Sequence, residues 1–235
     1  MFKIRSKDER GKTKLDWLDS SHTFSFADYY DLENMGFGDL RVINDDIVAP
    51  KGGFGLHPHS NMEILSIILT GSLEHKDSMG NVSIIGPGEI QKMSAGTGIY
   101  HSEYNPSDVE PVHFLQIWII PDTKDLKPYY EQKHFNLQKK PNELVLIGSK
   151  NGKHGSLKIS QDVEIYQTII EAGKSVKFNT EEKYIYWIQI ALGVIEVDNN
   201  ILEAGDGVAI KHENKTFELE GIDKTSNVII FKLKY

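Results

Sequence analysis

His57-Pro58-His59 and His101-Ser102-Glu103 are the stretches whose residue types and spacing can do chemistry. In a β-strand, residues i and i+2 point to the same face. His57 therefore projects with His59, and His101 with Glu103. Brought face to face inside a barrel, the two pairs offer three imidazoles and a carboxylate to one point. Imidazole suits iron, nickel, copper or zinc, and a carboxylate adds charge and hardness. On an octahedral ion such a set leaves two adjacent positions for a substrate or dioxygen. Glu63 shares a face with His59 if no bulge intervenes, so spacing alone leaves Glu63 beside Glu103 as the carboxylate. Scattered histidines making structural hydrogen bonds are the blander alternative, and two strand-spaced pairs of ligand types argue against it.

The remaining histidines show no such pairing. His75 precedes a turn and is expected to hydrogen-bond locally. His113 alternates with apolar neighbours and is expected in the core or behind the ligands. His22, His134, His154 and His212 read as structural or solvated, and Trp17, Trp118 and Trp187 as core. Asp45-Asp46 reads as a turn rather than a second metal site. Lys51-Gly52-Gly53-Phe54-Gly55 is not a phosphate loop, because no Lys-Ser/Thr follows and no helix begins there.

The elements that must position these residues are short strands. Ser21 to Tyr30 is an alternating, aromatic-rich run that reads as a strand. Met35-Gly36-Phe37-Gly38 is a turn, and Leu40 to Asn44 a strand. A glycine-rich loop at 51–55 leads into the first histidine pair. Strands follow at Glu63 to Leu69, Leu73 to Lys76 and Ile90 to Ser94, separated by Thr70-Gly71-Ser72, Asp77 to Asn81 and Gly86-Pro87-Gly88-Glu89. Val112 to Ile120 is a buried strand interrupted by His113 and Gln116. Pro121 to Pro141 is polar and reads as a connector with room for one short helix. Short β-runs then resume up to Leu233. Short strands with regular turn signals and no long helical pattern predict an all-β chain of barrels or sandwiches.

At 235 residues the chain has room for two domains. The expected division is 1–125, carrying the ligands, and 126–235, without them. Aligning Gly71-Ser72-Leu73-Glu74 with Gly193-Val194-Ile195-Glu196 reveals a repeat, with Pro87-Gly88-Glu89 answered by Ala204-Gly205-Asp206. Counting back from Gly193 puts Asn179 and Glu181 where His57 and His59 stand, which predicts one metal-bearing barrel and one metal-free barrel.

The net charge of -8 makes direct nucleic-acid binding a poor expectation, since that needs a basic face. No apolar run approaches the ~20 residues of a membrane helix, and the charged N-terminus has no signal-like apolar region. The absence of cysteine excludes disulfides and thiolate-bound zinc and fits a cytoplasmic location.

Several long stretches resemble the pirin family of the cupin superfamily. They are His22 to Ala27, Met35 to Gly38, Leu40 to Asn44, His57-Pro58-His59, Glu74 to Asn81, Met93 to Gly98 and Glu103 to Pro106, covering most of residues 20–120. The resemblance implies a bicupin: two cupin (double-stranded β-helix, jelly-roll) barrels, with the metal in the first. It carries the family's ligands onto His57, His59, His101 and Glu103, iron(II) being the expected ion and zinc, nickel, copper, manganese or cobalt competing for the same donors. The general cupin pattern puts a glutamate ligand where Glu63 stands, and the chain departs from its second motif, with Ser94-Ala95-Gly96 in place of proline before the glycine and two extra residues between that glycine and His101; in pirins the carboxylate comes from the second motif, which favours Glu103. Short bacterial pirins are described as quercetin 2,3-dioxygenases. The resemblance therefore implies a metal-dependent enzyme that cleaves flavonols with dioxygen and releases carbon monoxide, with Glu103 also the catalytic base. The alternative is a redox-responsive regulator that binds another protein and uses the metal as its sensor. A third reading is a different small-molecule reaction at the same centre.

Overall fold

A computed structural model describes all 235 residues. In chain order the strands are β1 (Phe2–Arg5), β2 (Gly11–Lys14), β3 (Leu18–His22), β4 (Leu40–Val48), β5 (Gly53–His59), β6 (Glu63–Thr70), β7 (Leu73–Asp77), β8 (Val82–Ile85), β9 (Glu89–Ser94), β10 (Ile99–Tyr104), β11 (Val112–Ile119) and β12 (Tyr129–His134). The later strands are β13 (Val145–Ser149), β14 (Leu157–Lys158), β15 (Val163–Ile170), β16 (Ser175–Asn179), β17 (Tyr184–Leu192), β18 (Val194–Val197), β19 (Asn200–Glu203), β20 (Gly207–Lys211), β21 (Thr216–Gly221) and β22 (Ser226–Lys234). The only helical elements are 3-10 turns, and no helix is long and apolar enough to cross a membrane.

The chain divides into two compact units. One comprises Gly11–Phe135 with Ile159–Gln161, and the other comprises Met1–Arg10, Asn136–Lys158 and Asp162–Tyr235. In the ligand-bearing unit a seven-stranded sheet, ordered β12-β9-β6-β11-β4-β3-β2, packs on a four-stranded sheet, β5-β10-β7-β8. Leu18, Val48, Ile68, Leu73, Ile85 and Phe114 join the two sheets in one apolar cluster. The other unit repeats the plan with β1-β20-β17-β22-β15-β13-β14 on β16-β21-β18-β19. The repeat legible in the sequence is thus a repeat of topology. The aligned Gly71 and Gly193 both hold positive φ, 75° and 86°. A Cβ on Gly71 would stand 2.7 Å from the Pro111 carbonyl oxygen, and one on Gly193 2.7 Å from Ser226 Cα, so both turns need glycine.

Register corrects the count-back. His57 pairs with His101 across β5 and β10, and Phe178 pairs with Phe217 across β16 and β21. With the Gly71 and Gly193 turns matched, Phe178 and Thr180 stand where His57 and His59 do, not Asn179 and Glu181, and Phe217 and Leu219 stand for His101 and Glu103. An inward residue must match inward residues, and a slip of one turns every side chain to the other face. Phe178 and Phe217 stack at 5.4 Å within an apolar core.

Three other sequence expectations change. The run 21–30 is strand only as far as His22; beyond it Phe26 and Tyr29 close a tight turn, while Ser25 Oγ donates to the Asp31 carbonyl and accepts from the Asp31 N–H. Local side-chain bonds there replace a ladder. The connector holds β12, which pairs along β9 from Tyr129↔Ser94 to His134↔Glu89. It reads as polar because it is an edge strand. Asp45 and Asp46 lie within β4, not in a turn; their alternation sends Asp46 to the interior and leaves Asp45 half-buried beside His113.

Candidate metal centre

The seven-stranded sheet carries a row of polar side chains through the interior of its barrel. His22 stands opposite Asn44, Asn44 opposite Gln116, Gln116 opposite Ser66, and Ser66 opposite Gln91. Ser66 stands between Leu65 and Ile67 and Gln116 between Leu115 and Ile117, and these polar residues in apolar stretches are the only sequence signal of this row. In the other unit the matching positions are Tyr166, Ile230, Ile188 and Val208, all in or against its apolar core. Polar groups buried in such a row must be partnered: His22 bonds Asn44, Gln91 meets His75, and Ser66 and Gln116 hold the candidate ligand Glu103.

His57 and His59 point inward from β5, and His101 and Glu103 from β10. A bulge in β5 sets His101 opposite His57 and Glu103 opposite Phe54. The three imidazole centroids lie 4.3 to 4.8 Å apart. Ligand atoms of His57, His59 and His101 all fall within 4.8 Å of one another, and those of His75, His101 and Glu103 form a second such group. His57 Nδ1 lies 2.7 Å from the Gly55 carbonyl oxygen. A carbonyl only accepts, so Nδ1 carries the proton and Nε2 keeps a free lone pair. Burial, then the neighbouring His57, pulls His59 down to about 4. Burial followed by His57, His59 and His75 brings His101 to about 2. Both rings are neutral near pH 7, the form that binds metal.

His101 is oriented from behind by His75. His75 Nε2 lies 3.1 Å from Asp77 Oδ2, as a bond at a turn should. Its Nδ1 then accepts, and His101 Nδ1 lies 3.5 Å away while Gln91 Nε2 approaches at 3.3 Å. Tyr130 stacks on the His75 ring at 5.0 Å. The chain Asp77–His75–His101 directs His101 Nε2 inward, where it is buried with no hydrogen-bond partner. A carboxylate or carbonyl behind a histidine is the usual way a metal-binding ring is fixed. The orphaned Nε2, the free Nε2 of His57 and the neutral rings fit a divalent cation at this point.

Glu103 is fully buried. Ser66 Oγ donates to its Oε1 at 3.2 Å and Gln116 Nε2 to its Oε2 at 2.7 Å. Burial raises its pKa to about 7 against the lowering effect of these two donors. Glu63 is engaged elsewhere: it forms a buried ion pair with Lys92 Nζ at 2.9 Å and accepts the Ser160 N–H at 3.2 Å. Asn61, at φ 49°, breaks the strand between His59 and Glu63, so the two residues belong to different sheets. His113 lies neither in the core nor behind the ligands; it is partly exposed and bonds Asp45 at 2.6 Å.

The centre opens into a cavity of about 290 Å³. Leu15, Trp17, Phe26, Phe54 and Trp118 form apolar walls, and Ser20, His22, Asn44, Asp46, Gln116, His57, His59 and Glu103 supply polar groups. Trp118 meets the His59 ring edge-on at 4.9 Å. A small apolar cleft with few convergent polar groups suits a flat aromatic ligand.

Residues 3–119 match the family model described as Pirin, and residues 146–233 match one described as Quercetinase C-terminal cupin domain. Quercetin 2,3-dioxygenase of Escherichia coli K12 is 46% identical over 99% of both chains. The chain belongs to the pirin family. Among solved structures it is similar to the bacterial pirin YhhW of E. coli in complex with nickel(II), with TM-score 0.93, 42% identity, and coverage of 100% of this chain and 99% of that one. A Pasteurella multocida protein named as a putative quercetin 2,3-dioxygenase is 42% identical over 99% of this chain and all of its own. The two barrels are therefore cupin domains. Quercetin 2,3-dioxygenase from Acinetobacter baumannii, at 19% identity and TM-score 0.75, shares the fold.

Proposed function

We propose that this pirin is a metal-dependent dioxygenase that cleaves flavonols such as quercetin and releases carbon monoxide. The observation that carries the reading is the convergence of neutral imidazoles and a buried carboxylate at one side of an aromatic-walled cavity. The names of the relatives supply the substrate class. His57, His59, His101 and Glu103 hold the ion, with iron(II) as the native metal. The ion supplies Lewis acidity that favours ionisation of a bound flavonol's 3-hydroxyl. Glu103 takes that proton, and Ser66 and Gln116 hold its carboxylate in position. Trp17, Trp118 and Phe54 clamp the flat rings and exclude water. One flavonol and one dioxygen give one ring-opened ester and one carbon monoxide.

The test is oxygen uptake by iron-reconstituted protein with quercetin, with carbon monoxide monitored, beside His59→Ala, Glu103→Gln and a no-protein control. Uptake matched by carbon monoxide and lost in both variants is expected. His59→Ala should also lose most of its bound metal. No turnover above the control by fully metal-loaded protein would move the reading to the redox-responsive regulator.

A further inference from the structure

We infer that Asp46 reads the substrate: its Oδ1 accepts a hydrogen bond from a phenolic hydroxyl carried on the flavonol skeleton apart from the chelating 3-hydroxyl and carbonyl. The inference rests on the flavonol reading and adds a residue that selects among flavonols.

Asp46 stands inside the barrel on β4, between Ser20 on β3 and Phe114 on β11. It is 2% exposed and lines the same cavity as Glu103. Ser20 hydrogen-bonds its carboxyl, yet Oδ1 is buried with no partner. Its polar neighbours on that wall are occupied. His22 bonds Thr13 Oγ1 at 2.9 Å and Asn44 Oδ1 at 2.8 Å, and Gln116 bonds Glu103. Leaving a buried acceptor unpaired is unfavourable, so the carboxyl of this cavity-lining residue lacks a donor that a ligand can bring. Burial lifts the Asp46 carboxyl to about 7, the bond from Ser20 acting against it.

The test uses nickel(II)-loaded protein without oxygen, with binding read from tryptophan fluorescence, since Trp17 and Trp118 line the cavity. The probes are 3-hydroxyflavone, which keeps the chelating pair and has no other hydroxyl, and quercetin, which adds phenolic hydroxyls. Asp46→Leu and Asp46→Ala are run in parallel, so that a folding failure in one leaves the other. The expected result is that wild type prefers quercetin by roughly tenfold or more. The variants lose that preference while binding 3-hydroxyflavone as before. Equal wild-type affinity for both probes, or a parallel loss of both in the variants, overturns the role of Asp46 and leaves the flavonol reading standing. Failure of wild type to bind either probe overturns both.

Discussion

Gln116 on β11 reaches across the barrel interior to Glu103 on β10, Nε2 to Oε2 at 2.7 Å. The bond joins the two sheets at the candidate centre, and on the neighbouring strand the Ser66 hydroxyl, with one proton to give, lies within reach of Glu103 Oε1 and Gln116 Oε1. A buried carboxylate held by two donors is aimed as well as stabilised.

Gln116→Leu should therefore leave the fold intact and weaken metal binding by about tenfold, measured by competition with a chromogenic chelator. Unchanged affinity would show that the bond does not position a ligand.

Asp77 sets the tautomer of His75, and His75 sets that of His101. Asp77→Asn lets the amide donate to His75 Nε2, which moves the His75 proton to Nδ1 and sets it against the His101 proton. Metal affinity should fall about tenfold or more, and the absorption spectrum of the cobalt(II)-substituted protein should shift. A purely structural role would lower thermal stability and leave the cobalt spectrum of the folded protein unchanged.

Lys92 and Glu63 are both about 2% exposed at their side chains. Removing one partner strands a buried charge. Lys92→Met should cost about 3–5 kcal/mol in urea unfolding, and adding Glu63→Leu should recover much of that loss. Metal content of the folded double variant should match wild type, because Glu63 faces Lys92 rather than the imidazoles.

Asp46 gives the metal-free protein a pH dependence of known sign. Burial raises its pKa from 3.8 to about 7. Between those values the folded state holds a proton that the unfolded state has lost. Its stabilising contribution is complete below pH 3.8 and is lost as pH rises through about 7. Asp46→Asn, compared with wild type after chelator treatment, should remove a downward slope of about 1.4 kcal/mol per pH unit between pH 5 and 7. Parallel stability curves for the two proteins would refute the shift.

The all-β class, the repeat and the pairing of ligand types are legible in the order of residues alone. These rest on short-range rules: alternation along a strand, glycine at a turn, and i, i+2 spacing on one face. His57 with His59, and His101 with Glu103, needed nothing more. The fold settles what depends on neighbours far apart in the chain. It set Glu63 against Lys92 within the seven-stranded sheet, away from the sheet of His59, because the chain turns at Asn61. It aligned His22, Asn44, Gln116, Ser66 and Gln91 into one polar row from five strands, since cross-strand register is fixed by the buried face and not by sequence separation. The same register filled the matching interior of the other barrel with Phe178, Phe217 and Leu219. It also made Asp46, which reads from sequence as half of a turn, a buried residue lining the cavity.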